Sequence, residues 1–179
     1  CTTDLVQVIS YKNNLLPIVQ GSSLPNYSNG TFKINNQDIL FEGNISSPNK
    51  MASKDKIVED ALMYLNAPYL WGGKSPFGID CSGFTQIVYK ANNIVIPRDA
   101  YQQAELGTPY SFLEEAEPGD IAFFDDAEGK INHVGILVSK NQIIHASGKV
   151  RIDTLDHQGI FNKQNNSYSH KLRIIKNLL

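Results

Sequence analysis

Helical spacing in the middle of the chain gives way, after residue 117, to strand-like runs that continue almost to the end, and this order constrains the fold more than any other feature. Ser53 is a good N-cap, and Ile57, Val58, Ala61, Leu62 and Leu65 follow at helical spacing until Ala67-Pro68 stops the pattern. A second helical stretch starts at Cys81, with Phe84, Ile87, Val88 and Ala91 on one face, and ends at Asn92-Asn93. Strands are expected at Asp120–Phe124, Ile131–Ser139, Gln142–Ala146, Val150–Asp153 and Leu172–Ile175. Helices first and antiparallel strands afterwards make an α+β domain, here residues 51–179.

Residues 1–50 differ in texture. Short alternating runs, Leu5–Ile9, Thr31–Ile34 and Asp38–Phe41, are punctuated by the turn signals Asn29-Gly30, Asn35-Asn36 and Glu42-Gly43. They imply a small all-β domain of about four strands, too small to be strongly stable alone. Ser46-Ser47-Pro48-Asn49-Lys50 is the expected linker.

With a net charge of −2 and 19% charged residues, nothing points to nucleic acid or an anionic membrane surface as partner. No run approaches the ~20 apolar residues of a membrane span. The only cysteines are Cys1 and Cys81, which excludes a disulfide scaffold. A chain starting at Cys1 fits either an arbitrary boundary or a mature lipoprotein whose Cys1 carries the lipid anchor, with Thr2-Thr3 as a tether.

Cys81 opens a helix, where unpaired backbone N–H groups and the positive end of the dipole favour thiolate over thiol. The same N–H groups suit an oxyanion on an attacked carbonyl. The alternative is a small buried cysteine packed under the helix. Downstream, His133 and His145 lie on consecutive strands, completing the order thiol, base, orienter. Strand parity sets a condition on this arrangement. A regular two-residue Lys140-Asn141 turn places the two rings on opposite faces, so an odd-numbered loop or a bulge is required. A metal is not expected, since neither C-x-x-C nor H-x-x-x-H spacing occurs, and His157 and His170, in polar sequence, read as surface residues.

Tyr69-Leu70-Trp71-Gly72-Gly73 and Asp80-Cys81-Ser82-Gly83-Phe84 resemble the nucleophile region of the NlpC family of bacterial cell-wall cysteine peptidases, a branch of the papain-like enzymes. Pro97-Arg98-Asp99, Gln102-Gln103, Pro118-Gly119-Asp120-Ile121, His133-Val134-Gly135-Ile136 and Ile144-His145-Ala146 follow in family order. Gly148–Asp153 further resembles the dipeptidyl-peptidase VI-like members, which cut between γ-D-glutamate and a diamino acid in peptides with a free N-terminal L-alanine.

The resemblance implies a papain-like domain behind an N-terminal SH3-like domain that walls off the far end of the site. It implies that Cys81 attacks, His133 moves the proton, His145 orients His133, and Tyr69 helps hold the oxyanion or substrate. Asp80 would bind the free amine and Arg98 the α-carboxylate of D-glutamate, with Ser82 and Trp71 also against the substrate. Core packing for Tyr69 and Trp71, and a surface ion pair for Arg98, are the plainer alternatives. Ala100 stands where members often carry Ser, so Tyr101 or Gln102 would have to supply that hydrogen bond. The implied substrates are peptidoglycan-derived peptides, with no cofactor and a monomeric, extracytoplasmic enzyme. A cytoplasmic recycling enzyme, a related amidase or acyl transferase, and an inactive wall-binding module are the alternatives.

Overall fold

A computed structural model describes residues 1–47 and 53–179. Pro48, Asn49 and Lys50 of the expected linker, and with them the 50/51 boundary, lie outside the described residues. The N-terminal part is built from two antiparallel hairpins, β1 (Val6–Tyr11) with β2 (Asn14–Val19), and β3 (Thr31–Ile34) with β4 (Gln37–Leu40). Each closes on two left-handed residues, Lys12-Asn13 at φ 48° and 62°, and Asn35-Asn36 at 48° and 65°, the geometry of tight hairpin turns. The hairpins are separate two-stranded sheets sharing a core of Ile9, Phe32, Ile39 and Phe41. Strand β2 is not legible in the sequence because Pro17 interrupts it; a two-stranded ribbon tolerates the missing N–H that an inner strand would not.

Helix α1 (Lys54–Leu62) is capped by Ser53, whose Oγ accepts from the Lys56 N–H at 3.2 Å. Its buried face carries Ile57, Asp60, Ala61 and, one turn on, Tyr64, whereas Leu62 and Leu65 are exposed. Asp60 turns the face inward because its carboxylate is fully matched, by Lys56 and by the Asn92 side-chain amide at 2.8 Å. A small hairpin, β5 (Lys74–Ser75) with β6 (Gly78–Ile79), leads into α2 (Cys81–Ala91). Nearly every residue of α2 is buried, including Thr85 and Tyr89, so it is the central helix of the larger core rather than an amphipathic surface one. The short α3 (Ala100–Gln103) follows.

The remaining elements are β7 (Thr108–Pro109), β8 (Ile121–Asp125), β9 (Ile131–Ser139), β10 (Gln142–Ser147), β11 (Lys149–Leu155), β12 (Gly159–Asn162) and β13 (Ser167–Asn177). They form one antiparallel sheet in the order β12-β11-β10-β9-β8-β13-β7. Because β12 also pairs with β13, six of the strands close on themselves, which removes the exposed edges an open sheet would leave. The closing strand β12 carries no alternating signal in the sequence. Its first residue, Gly159 (φ 144°), is tight against β13: a Cβ there would lie 1.9 Å from the His170 carbonyl oxygen. Ala122, Phe124, Leu137, Ile143, Leu155, Ile160 and Ile175 fill one face of the sheet, and the helices cover Ile121, Phe123, Val134, Ile136 and Ile144 on the other. Among the described residues no helix is long and apolar enough to cross a membrane.

Candidate active site

Strands β9 and β10 are joined by the two-residue turn Lys140-Asn141, the loop length that in a regular ladder sets His133 and His145 on opposite faces. The register is not regular. Gln142 pairs with Ser139, but Ile143 pairs with Leu137 and His145 with Gly135, so Val138 is an extra residue on β9. That bulge changes the parity and turns both rings to the same side. Gly135, directly opposite His145, leaves the room: a Cβ there would lie 2.9 Å from the Cβ of His145.

The result is a buried relay. His133 Nε2 and His145 Nδ1 are 2.8 Å apart, and His145 Nε2 is 3.0 Å from the Asp153 carboxylate. Asp153 is held in turn by Arg151, with Nε 2.6 Å from one oxygen and NH2 2.9 Å from the other. The chain of acceptors assigns the protons. A carboxylate only accepts, so His145 carries its proton on Nε2, its Nδ1 accepts, and His133 donates from Nε2. The nitrogen of His133 left to act as a base is Nδ1. Burial holds both imidazoles below their ordinary basicity, in His133 reinforced by His170 and His145, in His145 opposed by Asp153.

His170, expected on the surface, is half-buried and belongs to this cluster. Its ring stacks on that of His133, with centroids 3.9 Å apart and planes 20° from parallel. It is carried on β13 opposite Ile160, in a polar stretch whose alternation is that of a sheet mouth rather than of a loop. Burial lowers its pKa to about 4. Ligand nitrogens of His133, His145 and His170 lie within 4.8 Å of one another. The two stacked rings hold their lone pairs in nearly parallel planes, and His133 Nε2 is already matched with His145.

Cys81 is the first residue of α2 and is 7% exposed. Asp80 caps the helix, accepting from the Gly83 N–H at 2.7 Å and the Gly72 N–H at 2.8 Å. Its two oxygens also take Arg98 bidentately, at 3.0 and 2.5 Å, while Arg98 donates to Ser82 Oγ at 2.8 Å. Arg98 therefore finds its ion-pair partner inside the cleft. The helix-head effect on the thiol is present but outweighed. Burial and the Asp80 charge push the Cys81 thiol up, against the backbone N–H groups of Ser82, Val134 and Cys81 itself. The pull from Val134 puts the sulfur beside β9, next to His133 in sequence.

A cleft of about 220 Å3 opens over the sulfur, lined in part by Trp71, Asp80, Ser82, Arg98, Ala100 and Asn132. Trp71 is 83% exposed at its lip, and Tyr69 is half-buried close enough for Cys81 and Asp80 to raise its hydroxyl pKa, after burial. Gln102 is engaged with the Asp99 N–H, and Tyr101 is exposed. Buried Gln103 ties α3 to α2 through the Ser82 carbonyl (3.0 Å) and the Thr85 hydroxyl (2.8 Å). Among the described residues none of 1–47 lines this cleft. Gly21 faces Ile87, and Cys1 Sγ lies 3.5 Å from the Lys90 carbonyl, both toward the opposite end of α2. Asp153, His170, Gln103 and Asn132 carry no assigned role in the sequence; the Arg151-x-Asp153 spacing within the Gly148–Asp153 stretch, two charged residues on one strand face, is the signal for the first.

A gamma-D-glutamyl-L-lysine dipeptidyl-peptidase of Bacillus subtilis (strain 168) is 44% identical over 94 residues, which are 51% of this chain and 31% of that protein. Dipeptidyl-peptidase 6 of Lysinibacillus sphaericus is 34% identical over 110 residues, 60% of this chain and 38% of the relative. The matched stretch is thus about a third of the length of these curated relatives. The crystal structure of an NlpC/P60 family protein from Bacillus cereus ATCC 10987 superposes with a TM-score of 0.81 at 27% identity. It covers 99% of this chain and 62% of that one, so the likeness includes the N-terminal hairpins. The NlpC/P60 family model matches residues 66–169, more than half of the sequence, a span that runs from the loop before Tyr69 into β13 and contains Cys81 and the whole relay. The chain belongs to the NlpC/P60 family.

Proposed function

We propose that this chain is a cysteine endopeptidase that hydrolyses the γ-D-glutamyl–diamino acid bond of peptidoglycan peptides bearing a free N-terminal L-alanine. The observation that carries the reading is the relay His133–His145–Asp153 beside a thiol at a helix head. Cys81 Sγ attacks the γ-carbonyl and its proton passes to His133 Nδ1. The tetrahedral oxyanion falls to the N–H groups at the start of α2, with Tyr69 alongside. Collapse breaks the C–N bond, His133 returns the proton to the leaving amine, and water hydrolyses the thioester by the same proton path. His145 holds the His133 ring in plane, and Asp153 fixes the tautomer of His145.

The Asp80–Arg98 pair presents opposite charges side by side at the cleft. A substrate carrying an alanyl ammonium and a D-glutamyl α-carboxylate matches that pattern, ammonium to Asp80 and carboxylate to Arg98. The names of the relatives, both dipeptidyl-peptidases and one acting on a γ-D-glutamyl-L-lysine bond, support the bond chosen. We read the N-terminal hairpins as the SH3-like domain, with described contacts at the far end of α2, away from the cleft. Wall-peptide substrates agree with an extracytoplasmic location.

The test is incubation with L-Ala-γ-D-Glu-L-Lys and with its diaminopimelate counterpart, following release of the free diamino acid. Wild type is expected to cleave at least one of them, Cys81→Ala neither, and N-acetylation of the alanine to stop turnover. Undiminished cleavage by Cys81→Ala would falsify the nucleophile assignment.

A further inference from the structure

The three imidazoles are not equivalent. His133 and His145 share a hydrogen bond, whereas His170 makes no bond to either and instead lies flat on one of them. Its ring is also edge-on to His145 at 5.7 Å and to Phe124 at 6.1 Å, so it covers the His133–His145 contact from the side of β13. Its own Nδ1 is 2.9 Å from Ser169 Oγ, away from the relay. Phe124 approaches His133 from β8 at 5.8 Å. His133 is thus stacked by a second imidazole and flanked on one side by a phenyl ring that touches both, and its freedom to rotate out of line with His145 is limited by packing rather than by a further hydrogen bond.

We infer that His170 is a positioning residue. By stacking on His133 and shielding its hydrogen bond to His145 from water, it keeps the imidazole in the orientation that serves the Cys81 thiol. This rests on the thiol–imidazole reading above but not on the bond cleaved. Two physical effects support it. A planar face at 3.9 Å penalises rotation of the His133 ring through lost dispersion and overlap. Covering a buried hydrogen bond also removes competing water and strengthens it. The residue that does this must be flat and uncharged, since a cation on that face would oppose the imidazolium that forms during attack. The groups facing His170 are His133 on β9, His145 on β10, Asp153 on β11 and Phe124 on β8. Its neutral form at working pH follows from burial.

The test compares His170→Ala, His170→Leu and His170→Phe in the full chain, reading kcat and KM on L-Ala-γ-D-Glu-L-Lys and the iodoacetamide alkylation rate of Cys81. Loss of the flat face should lower kcat by about tenfold or more in Ala and Leu, the scale expected when a catalytic group is misplaced, with KM changed less than about twofold. Phe should recover kcat to within about threefold of wild type, because it restores the stack without a titrating nitrogen. Unchanged kcat in Ala and Leu overturns the inference, and so does a Phe variant as poor as Ala, since the imidazole nitrogens would then matter and not the face. If wild type cleaves neither peptide, the substrate reading fails by itself. The alkylation rates then decide, with Ala and Leu departing from wild type and Phe matching it if His170 positions His133, and all four alike if it does not.

Discussion

Nε2 of His133 meets Nδ1 of His145 at 2.8 Å because one residue, Val138, bulges out of the ladder between them. The pair makes up the first two members of a three-membered relay whose last member, Asp153, decides where the protons sit. Asp153→Asn keeps shape and volume but offers an amide that can donate to His145 and reverse its tautomer. A fall in kcat of about 10- to 100-fold is expected, typical of losing the partner that orients a functional imidazole. Steady-state kinetics on the tripeptide, with melting temperature as a control, will measure it. A variant with wild-type kcat would remove Asp153 from the relay.

Arg98 neutralises a carboxylate that is otherwise almost enclosed, since Asp80 is 5% exposed. Arg98→Ala should cost about 2 kcal/mol of unfolding free energy, the scale for leaving a buried charged group short of its partner. It should also push the Cys81 thiol further up, slowing iodoacetamide alkylation at neutral pH. Arg98→Lys should recover only part of either, because a single ammonium cannot match both carboxylate oxygens. Urea unfolding and alkylation kinetics that leave Ala indistinguishable from wild type would contradict the pairing.

Burial keeps three histidines neutral in the folded protein, with His133 and His145 below their ordinary values and His170 at about 4. In the unfolded chain each titrates near ~6.5. Between those values the unfolded chain binds more protons than the folded one, so stability is fully present above about pH 6.5 and declines as pH falls toward 4. Asp80 and Asp153, held below the carboxylate range, add a further loss only at still lower pH. The melting temperature should therefore drop across that window, and His170→Phe should flatten part of the drop. A curve flat from pH 7 to 4.5 would rule this out.

Gly159 is the point where the sheet closes. Gly159→Ala combines a Cβ 1.9 Å from the His170 carbonyl oxygen with an unfavourable positive φ. A loss of about 2 kcal/mol or more is expected, read as a lower urea midpoint. Because the clash falls on the backbone of His170, kcat should drop as well. A stable, fully active variant would mean that β12 need not sit so close to β13.

Much of the arrangement was legible in the chain. Ser53 announces one helix because capping is local chemistry, the spacing of Phe84, Ile87, Val88 and Ala91 announces the second, and β9 is readable because Val134, Ile136, Leu137 and Val138 make it strongly apolar. The parity condition on Lys140-Asn141 was also legible, but not which way the molecule would meet it. Leu62 and Leu65 misled, since the preference of Asp60 for Lys56 and Asn92 turns α1 on its axis. β12 was missed because a short strand held by Gly159 has no periodicity to detect. His170 looked like a surface residue because its neighbours in sequence are polar, and its neighbour in space, His133, is 37 residues away.

What the sequence by itself determined is the set of local events: a thiol at the head of a helix, two histidines on adjacent strands, and a helical block followed by antiparallel strands. These follow from interactions within a few residues. Tertiary structure alone decided the bulge that brings the rings together, the closing of the sheet, the Asp80–Arg98 pair, the stack of His170 on His133 and the seat of the N-terminal hairpins near the far end of α2. Each depends on which distant surfaces meet, and that is set by packing of the whole core, which no local pattern encodes.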